Sequence, residues 1–256
     1  MTSSAVTARR WLIPLIAVLA GGGVVRAQAA GKADALLQRM AEQSAEYRKS
    51  LPDFTCNESV VSSVRQSWLR KARVEFQATI RVTRTPDGAL AENFFMTKYM
   101  GTPVAPGVRL PVPDYVQGGF GRGVPLFFAA ENQRCFVYSA EGDKIDFKVR
   151  HGARGCLEPA STEGYAQLDA AGLLQHGETR RVPGEAKKLG LTTLTSEDYG
   201  PVELDGKEFR LPVHLYAEIR DGKMLRTFEA KYSECRLFKV SVTIKPGDSD
   251  PAGLVQ

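Results

Sequence analysis

The 256-residue sequence has few of the side chains and motifs on which catalysis usually depends. It holds only three histidines and contains no H-E-x-x-H, G-x-S-x-G or Walker sequence. His151 lies in an expected loop, whereas His176 and His214 fall on expected strands, and their spacing does not indicate a catalytic triad. No C-x-x-C pair or cysteine–histidine spacing indicates a metal site. We therefore expect a protein that is not an enzyme and that needs neither a cofactor nor a metal ion.

Long hydrophobic runs are also missing, with one exception near the N-terminus. The run WLIPLIAVLAGGGVV follows Arg9-Arg10 and precedes the small-residue site Ala27-Gln28-Ala29. A basic start, an apolar stretch and an A-x-A site together predict a secretory signal peptide over residues 1–29. The run is too short and too rich in glycine for a comfortable membrane span of about 20 residues, although an uncleaved anchor is the alternative. We expect a periplasmic or secreted protein with no transmembrane segment after cleavage.

A strong excess of one charge sign is absent from the predicted mature protein. The signal peptide holds three arginines and no acidic residue, so the formal net charge falls from +5 for the whole sequence to +2 after cleavage. Nucleic-acid binding needs a clustered basic face. The short basic groups, such as Arg180-Arg181 and Lys187-Lys188, are typical of solvated strand faces and loops. We expect no nucleic-acid partner.

The four cysteines, Cys56, Cys135, Cys156 and Cys235, all lie in the predicted mature part. An even number in an exported chain favours disulfides, and four cysteines allow three connectivities. Cys135 and Cys156 bracket an expected hairpin, so a bond between them is geometrically easy, and Cys56 would then pair with Cys235. We expect these two bonds, but the spacing alone leaves the other two connectivities open.

The patterning predicts one helix followed by many strands. In residues 31–50, apolar and small residues recur on one helical face, and the helix is expected to end near Ser50 because Leu51 precedes Pro52. Beyond it, residues 73–84 alternate with a period of two, and Asp205-Gly206 and Asp221-Gly222 are strong hairpin signals. The fold class is therefore mainly β, an antiparallel sheet with one buried face, in one domain over residues 30–245 followed by a disordered tail at 246–256.

One stretch, residues 101–125, does not follow this strand pattern and contains five prolines and six glycines. A connection this long is functional, a mobile lid or disordered. Phe120, Phe127 and Phe128 lie in it or just after it, so we expect part of it to dock on an apolar surface. Its glycines do not form a phosphate loop, because a strand before and a helix after them are missing.

The order of these elements resembles the periplasmic lipoprotein-carrier superfamily, the LolA/RseB-like half-barrels. The resemblance is carried by YAQLDAAGLLQHGE in the middle of the chain and by the later DYGPVELDGKEFRLPVHLYAEI. More closely, YRKSLPDFTCNE and EAKKLG followed by DYGPV look like a branch of secreted bacterial proteins. The resemblance implies a single curved antiparallel sheet, a half-open β-barrel, with an N-terminal helix and short covering helices.

The same resemblance implies a binder or carrier of a hydrophobic ligand, a lipid or an acylated protein, held in the concave face. Residues expected to line this face come from the regular strands, with two further phenylalanines as a lid. The candidates are Phe76, Ile80, Phe94, Met96, Phe127 and Phe128. The alternative is that these side chains form a filled core, because alternation does not distinguish a packed face from a ligand-lining one. The protein would then be an interaction or regulatory module that contacts an envelope protein.

Overall fold

The computed structural model describes residues 22–66, 70–86, 88–108, 110–112, 119–121, 123–150, 156, 162–181 and 191–238. The predicted C-terminal tail, His151 and residues 1–21 of the predicted signal peptide lie outside these residues. Within them, no helix combines the length and the hydrophobicity that crossing a membrane requires.

The single α-helix of the described residues, α1 (Gly22–Ser50), packs across one face of the sheet. Its buried positions Leu36, Met40 and Ser44 follow the helical period, as the sequence indicates. The helix ends before Leu51-Pro52, where a residue that precedes proline leaves the helical region. It begins inside the predicted signal peptide, so cleavage after Ala29 would retain only the part from residue 30 onward.

In the described part of the chain, eleven strands form one antiparallel, open and curved sheet, which agrees with the mainly β half-barrel expected from the sequence. Their order across the sheet is β4-β3-β2-β1-β11-β10-β9-β8-β7-β6-β5, so the first and last long strands are neighbours in its middle. The strands are β1 (Phe54–Gln66), β2 (Arg70–Arg84), β3 (Leu90–Tyr99), β4 (Thr102–Pro103), β5 (Phe136–Glu141), β6 (Lys144–Val149), β7 (Glu163–Leu168), β8 (Leu174–Arg181), β9 (Thr192–Leu204), β10 (Lys207–Asp221) and β11 (Met224–Leu237). Two short 3₁₀ helices, η1 (Val124–Phe128) and η2 (Gln133–Cys135), precede β5.

Most of the buried apolar side chains in the described residues form two groups. The first core cluster includes Phe54, Phe76 and Phe228 and belongs mainly to β1, β2, β10 and β11. The second core cluster includes Met40, Phe128 and Phe147 and joins α1 and η1 to β5–β8. Alternating in-facing residues supply both clusters, because successive side chains of a strand point to opposite faces.

Both disulfides of the structure are those expected from the sequence, Cys56–Cys235 and Cys135–Cys156. The first joins the neighbouring strands β1 and β11 where their register shifts between Thr55 and Asn57. The second ties the residue that precedes β5 to the chain after β6. Disulfides of this kind fit an oxidising compartment outside the cytoplasm.

Candidate functional site

The structure distributes the six predicted lining residues between the two core clusters. Phe76, Ile80 and Met96 are buried in the first cluster, and Phe94 packs against it. Phe127 and Phe128 belong to the second cluster instead, where Phe127 stacks on Phe147 with ring centroids 4.7 Å apart. The two phenylalanines therefore do not cover the first group, and all six side chains pack within or against these clusters.

A pocket of about 350 Å³ lies between α1 and the ends of the strands, and we call it the helix pocket. Its volume is at the lower end of the range for small-molecule sites, and such sites are mostly apolar with a few polar groups. Its apolar lining residues are Met40, Tyr47, Pro125, Leu173, Leu174 and Phe209. Its polar lining residues are Glu42, Gln43, Glu46, Lys207, Glu208 and Arg210. This combination of apolar and polar lining residues suits an apolar ligand whose polar end lies at the entrance of the pocket.

The helix pocket lies where the two core clusters meet. Phe209 belongs to the first cluster and Tyr47 packs against it. Met40 and Leu174 belong to the second cluster. An apolar group in the pocket therefore contacts residues of both clusters, although none of the six predicted lining residues is part of its wall.

Leu173 and Leu174 reach the helix pocket because of the turn between β7 and β8. The carboxylate of Asp169 accepts hydrogen bonds from the backbone N–H groups of Ala171 and Leu173, each at 2.9 Å. Gly172 adopts φ +76°, a left-handed conformation that glycine tolerates. The backbone bond from Leu173, followed by that from Ala171, lowers the pKa of Asp169. The central hairpin of the sequence thus has an architectural role, since its turn forms part of the pocket wall.

Polar contacts at the rim fasten α1 to the sheet. The side chain of Gln43 donates to the carbonyl of Gly172 at 2.8 Å and accepts from the N–H of Leu174 at 3.1 Å. Lys207 pairs with Glu46 and also donates to Ser50. These contacts hold α1 against the strands that border the pocket.

The end of the proline- and glycine-rich stretch, together with η1, crosses the concave face. We call this segment, residues 119–121 and 123–128, the strap. Phe120 is buried between Phe54 and Tyr232, with ring centroids 5.3 and 4.9 Å away. Glu92 on β3 accepts hydrogen bonds from the N–H groups of Phe120 and Gly121, at 2.9 and 2.8 Å. The expected docking of Phe120 on an apolar surface is therefore present, and a carboxylate of the sheet holds its backbone.

Glu197 on β9 holds the strap from the other side of the concave face. Its side chain is buried and accepts hydrogen bonds from the N–H of Val124, at 3.0 Å, and from the hydroxyl of Tyr199. Burial raises the pKa of Glu197 to about 7, although the bonds from Tyr199 and Val124 act in the opposite direction. A Cβ at Gly123 would lie 2.7 Å from the Glu197 carboxylate, so this approach requires glycine.

We expect Glu197 to make the stability of the protein depend on pH. Because the folded-state pKa is raised from 4.5 to about 7, its contribution is fully present below about pH 4.5 and is lost as the pH rises through about 7. The loss corresponds to about 3 kcal/mol at about 1.4 kcal/mol per pKa unit. Glu197→Gln keeps an acceptor but does not titrate. The free energy of unfolding of this variant relative to wild type should therefore rise by about 3 kcal/mol between pH 4 and pH 8.

Urea unfolding at a series of pH values measures this difference. Glu141→Gln, a substitution at an exposed glutamate at the end of β5, is the matched control and should show no such trend relative to wild type. A constant difference between Glu197→Gln and wild type across this range would contradict the assignment.

On the opposite, convex face the structure brings two histidines together, which their spacing in the sequence did not indicate. Nδ1 of His176 lies 2.6 Å from one carboxylate oxygen of Asp198, and Nδ1 of His214 lies 2.9 Å from the other. Nε2 of His214 lies 3.1 Å from Glu229. Burial acts to raise the pKa of Asp198, but the hydrogen bonds to His176 and His214 lower it more. The network joins β8 to β11 and, among the described residues, no cluster of side chains is suited to a metal ion.

Glu197 was not among the residues predicted from the sequence, although the pattern of β9 contains a signal that indicates it. On β9 it occupies the in-facing position two residues before the buried Tyr199. A carboxylate at a buried position of an alternating strand is rare unless it has a partner or a function. The helix pocket had no such signal, because its walls come from α1, η1 and two hairpins that are distant in sequence.

No family model matches the sequence, and no curated protein is significantly similar to it. Among solved structures, it is similar to a DUF1329 family protein from Desulfovibrio piger, with 9% identity, a TM-score of 0.40 and coverage of 82% of this chain and 95% of that one. A LolA superfamily protein from Nitrosomonas europaea shows 14% identity and a TM-score of 0.33, over 80% of this chain and 94% of that one. A domain named for outer membrane lipoprotein sorting, from Vibrio parahaemolyticus, shows 11% identity and a TM-score of 0.36, over 80% and 92%. The group expected from the sequence is thus present among the structural neighbours, while these low similarities assign no function to this chain.

Proposed function

We propose that the protein binds or carries a hydrophobic ligand, a lipid or the acyl chain of an acylated protein, without enzymatic chemistry. The observation that carries this proposal is the helix pocket, which is mostly apolar and bordered by charged groups. Burial of apolar ligand surface is worth about 25 cal/mol per Å². An acyl chain would therefore gain free energy in the pocket while its polar end stays at the charged mouth.

The six predicted lining residues take a supporting part in this proposal. Their side chains are packed in the two clusters that meet at the helix pocket. A ligand longer than the pocket would reach them only if the packing between the clusters opened. The lining of the bound state then depends on ligand length, with the pocket residues as the first contact.

The proposed place of action is the periplasm or the exterior of the cell. The predicted signal peptide supports export, and the two disulfides suit an oxidising compartment. The proposed donors and acceptors of the ligand are envelope components, either lipids or an acylated protein.

A second candidate function, an interaction module that contacts an envelope protein, is favoured by a different observation. Near the β3–β4 edge of the sheet, large apolar side chains are exposed, with Phe95 at 45% and Met100 at 58%. Exposed apolar side chains of this size are typical of contact sites when they form a continuous patch. Ligand extraction distinguishes this candidate from the first.

The test is organic extraction of the mature protein, purified without detergent, followed by mass spectrometry of the extract. Leu173→Trp should fill the helix pocket and reduce the recovered lipid at least tenfold, because a larger side chain occupies the ligand volume. Leu225→Trp is the matched control, since Leu225 is a half-buried leucine on β11 that does not line the pocket.

Stoichiometric lipid in wild type and in Leu225→Trp, together with its loss in Leu173→Trp, would support the helix pocket as the site. A ligand-free extract from folded wild-type protein that also fails to take up added lipid would overturn the carrier proposal. The interaction module would then be the function to test.

A further inference from the structure

The helix pocket and the strap share part of their structure. Pro125 of the strap lines the pocket, and so does Tyr47, whose hydroxyl donates to the carbonyl of Phe120 at 2.8 Å. The neighbouring Val124 is buried and its N–H is bound by Glu197. Any change in how Glu197 holds Val124 therefore acts on the pocket wall through the adjacent Pro125.

We propose that Glu197 is a proton-controlled latch for the strap, so that the helix pocket binds its apolar ligand with uptake of a proton. The inference rests on the proposed function for its ligand, whereas the latch itself is a property of the chain. The protonated carboxyl keeps the strap docked and the pocket wall in place. The ionised carboxylate is costly to bury, and hydration of this group competes with docking of the strap.

The groups around Glu197 come from several elements and support this behaviour. Tyr199 on β9 and the Val124 N–H of η1 bind the carboxyl directly. The charge of Glu92 on β3 disfavours ionisation of Glu197, whereas Arg181 on β8 favours it. Tyr47 on α1 is a further neighbour; burial raises its pKa, and the charges of Glu92 and Glu197 act in the same direction. The balance leaves the carboxyl with a pKa of about 7, where small changes of pH alter its charge.

The direction of the effect follows from linkage. If the ligand binds the state in which the strap is docked, and that state holds the proton, affinity falls as the pH rises through about 7. Couplings of this kind typically change an affinity by about 5- to 150-fold. We expect about tenfold weaker binding at pH 8.5 than at pH 5.5, because only one proton is involved and the strap has other anchors.

The first experiment measures binding of a neutral fluorescent apolar probe, N-phenyl-1-naphthylamine, whose charge does not change in this range. Wild type should lose about tenfold in affinity between pH 5.5 and pH 8.5. Glu197→Gln should bind equally well at both values, and the control Glu141→Gln should behave as wild type. An affinity in Glu197→Gln that falls as in wild type, or a wild-type affinity that does not fall with pH, would overturn the latch.

The second experiment tests the latch without a ligand, through hydrogen exchange of the Val124 amide. After correction for the intrinsic exchange rate, its protection should fall between pH 6 and pH 8 in wild type and stay constant in Glu197→Gln, because exchange reports local opening. Tyr199→Phe provides a second variant. Loss of the tyrosine hydroxyl removes a bond that favours ionisation, so the fall should move to higher pH.

The two measurements separate the proposals. If the pocket does not bind the probe at any pH, but the protection of the Val124 amide changes with pH as expected, the proposed function is overturned and the latch is supported. Binding that Leu173→Trp abolishes, with Val124 protection that is constant with pH in wild type, would support the proposed function and overturn the latch.

Discussion

The double substitution Cys56→Ala with Cys235→Ala is expected to lower the free energy of unfolding by about 5 kcal/mol. The bond closes a loop with a sequence separation of 179 residues, so it restricts the unfolded chain strongly. It also joins β1 to β11, the pair that connects the N-terminal strands to the C-terminal ones in the middle of the sheet. Urea unfolding monitored by circular dichroism measures the change, and both cysteines are replaced so that no free thiol remains.

The second disulfide provides an internal control for this expectation. Cys135→Ala with Cys156→Ala opens a loop with a separation of only 21 residues, for which the same chain-entropy relation gives about 3 kcal/mol. The difference of about 2 kcal/mol is the informative quantity, because both variants lose two buried or half-buried sulfurs. An equal or larger loss in the second variant would show that loop length does not control the effect.

Phe120→Ala is expected to destabilise the protein by about 3–5 kcal/mol, as for other large-to-small changes at buried aromatic positions. The side chain is buried in the first core cluster, in edge-to-face contact with Phe54 and Tyr232. Its removal leaves a cavity and loosens the strap, whose backbone Glu92 and Tyr47 bind at this residue. The shift in the midpoint of urea unfolding measures the loss, provided that the dependence of the unfolding free energy on urea concentration is the same in both proteins.

Phe95→Ala is the matched control, because Phe95 is 45% exposed and its ring lies against the guanidinium of Arg81, 4.9 Å from the ring centroid. We expect a loss of about 2 kcal/mol or less, since nearly half of this side chain stays in water in the folded state. Equal losses in the two variants would mean that Phe120 does not anchor the strap.

Local patterning was enough to predict the mainly β class, the N-terminal helix and the buried faces of the regular strands, whereas the curved half-barrel was implied by the family resemblance. The period of two in β2 placed Phe76 and Ile80 on one face, and both side chains are buried in the structure. The end of α1 before Leu51-Pro52 was predicted from a steric property of the residue before proline. Such features depend on neighbours in the chain, and therefore the sequence displays them directly.

The candidate site could not be predicted from local patterning in the same way. Phe127 and Phe128 were expected to cover the same face as Phe76, but they pack in the second core cluster with Phe147. Their hydrophobicity predicted burial, whereas the partner that buries them depends on how η1 packs against α1 and the strands. The pairing of His176 and His214 with Asp198 has the same origin, because it depends on the register of β8, β9 and β10.

The sequence by itself determined the mainly β class, the N-terminal helix, the in-facing residues of the regular strands and the expectation of two disulfides. These follow from periodicity, turn residues and the cysteine count, which act over a few residues or over composition. Only the tertiary structure decided where the strap docks, that a buried carboxylate on β9 holds it, and that the pocket lies between α1 and the strand ends. Those features arise from contacts between segments that are distant in the sequence, such as Val124 with Glu197, which are 73 residues apart. Local periodicity and turn residues carry no information about such contacts.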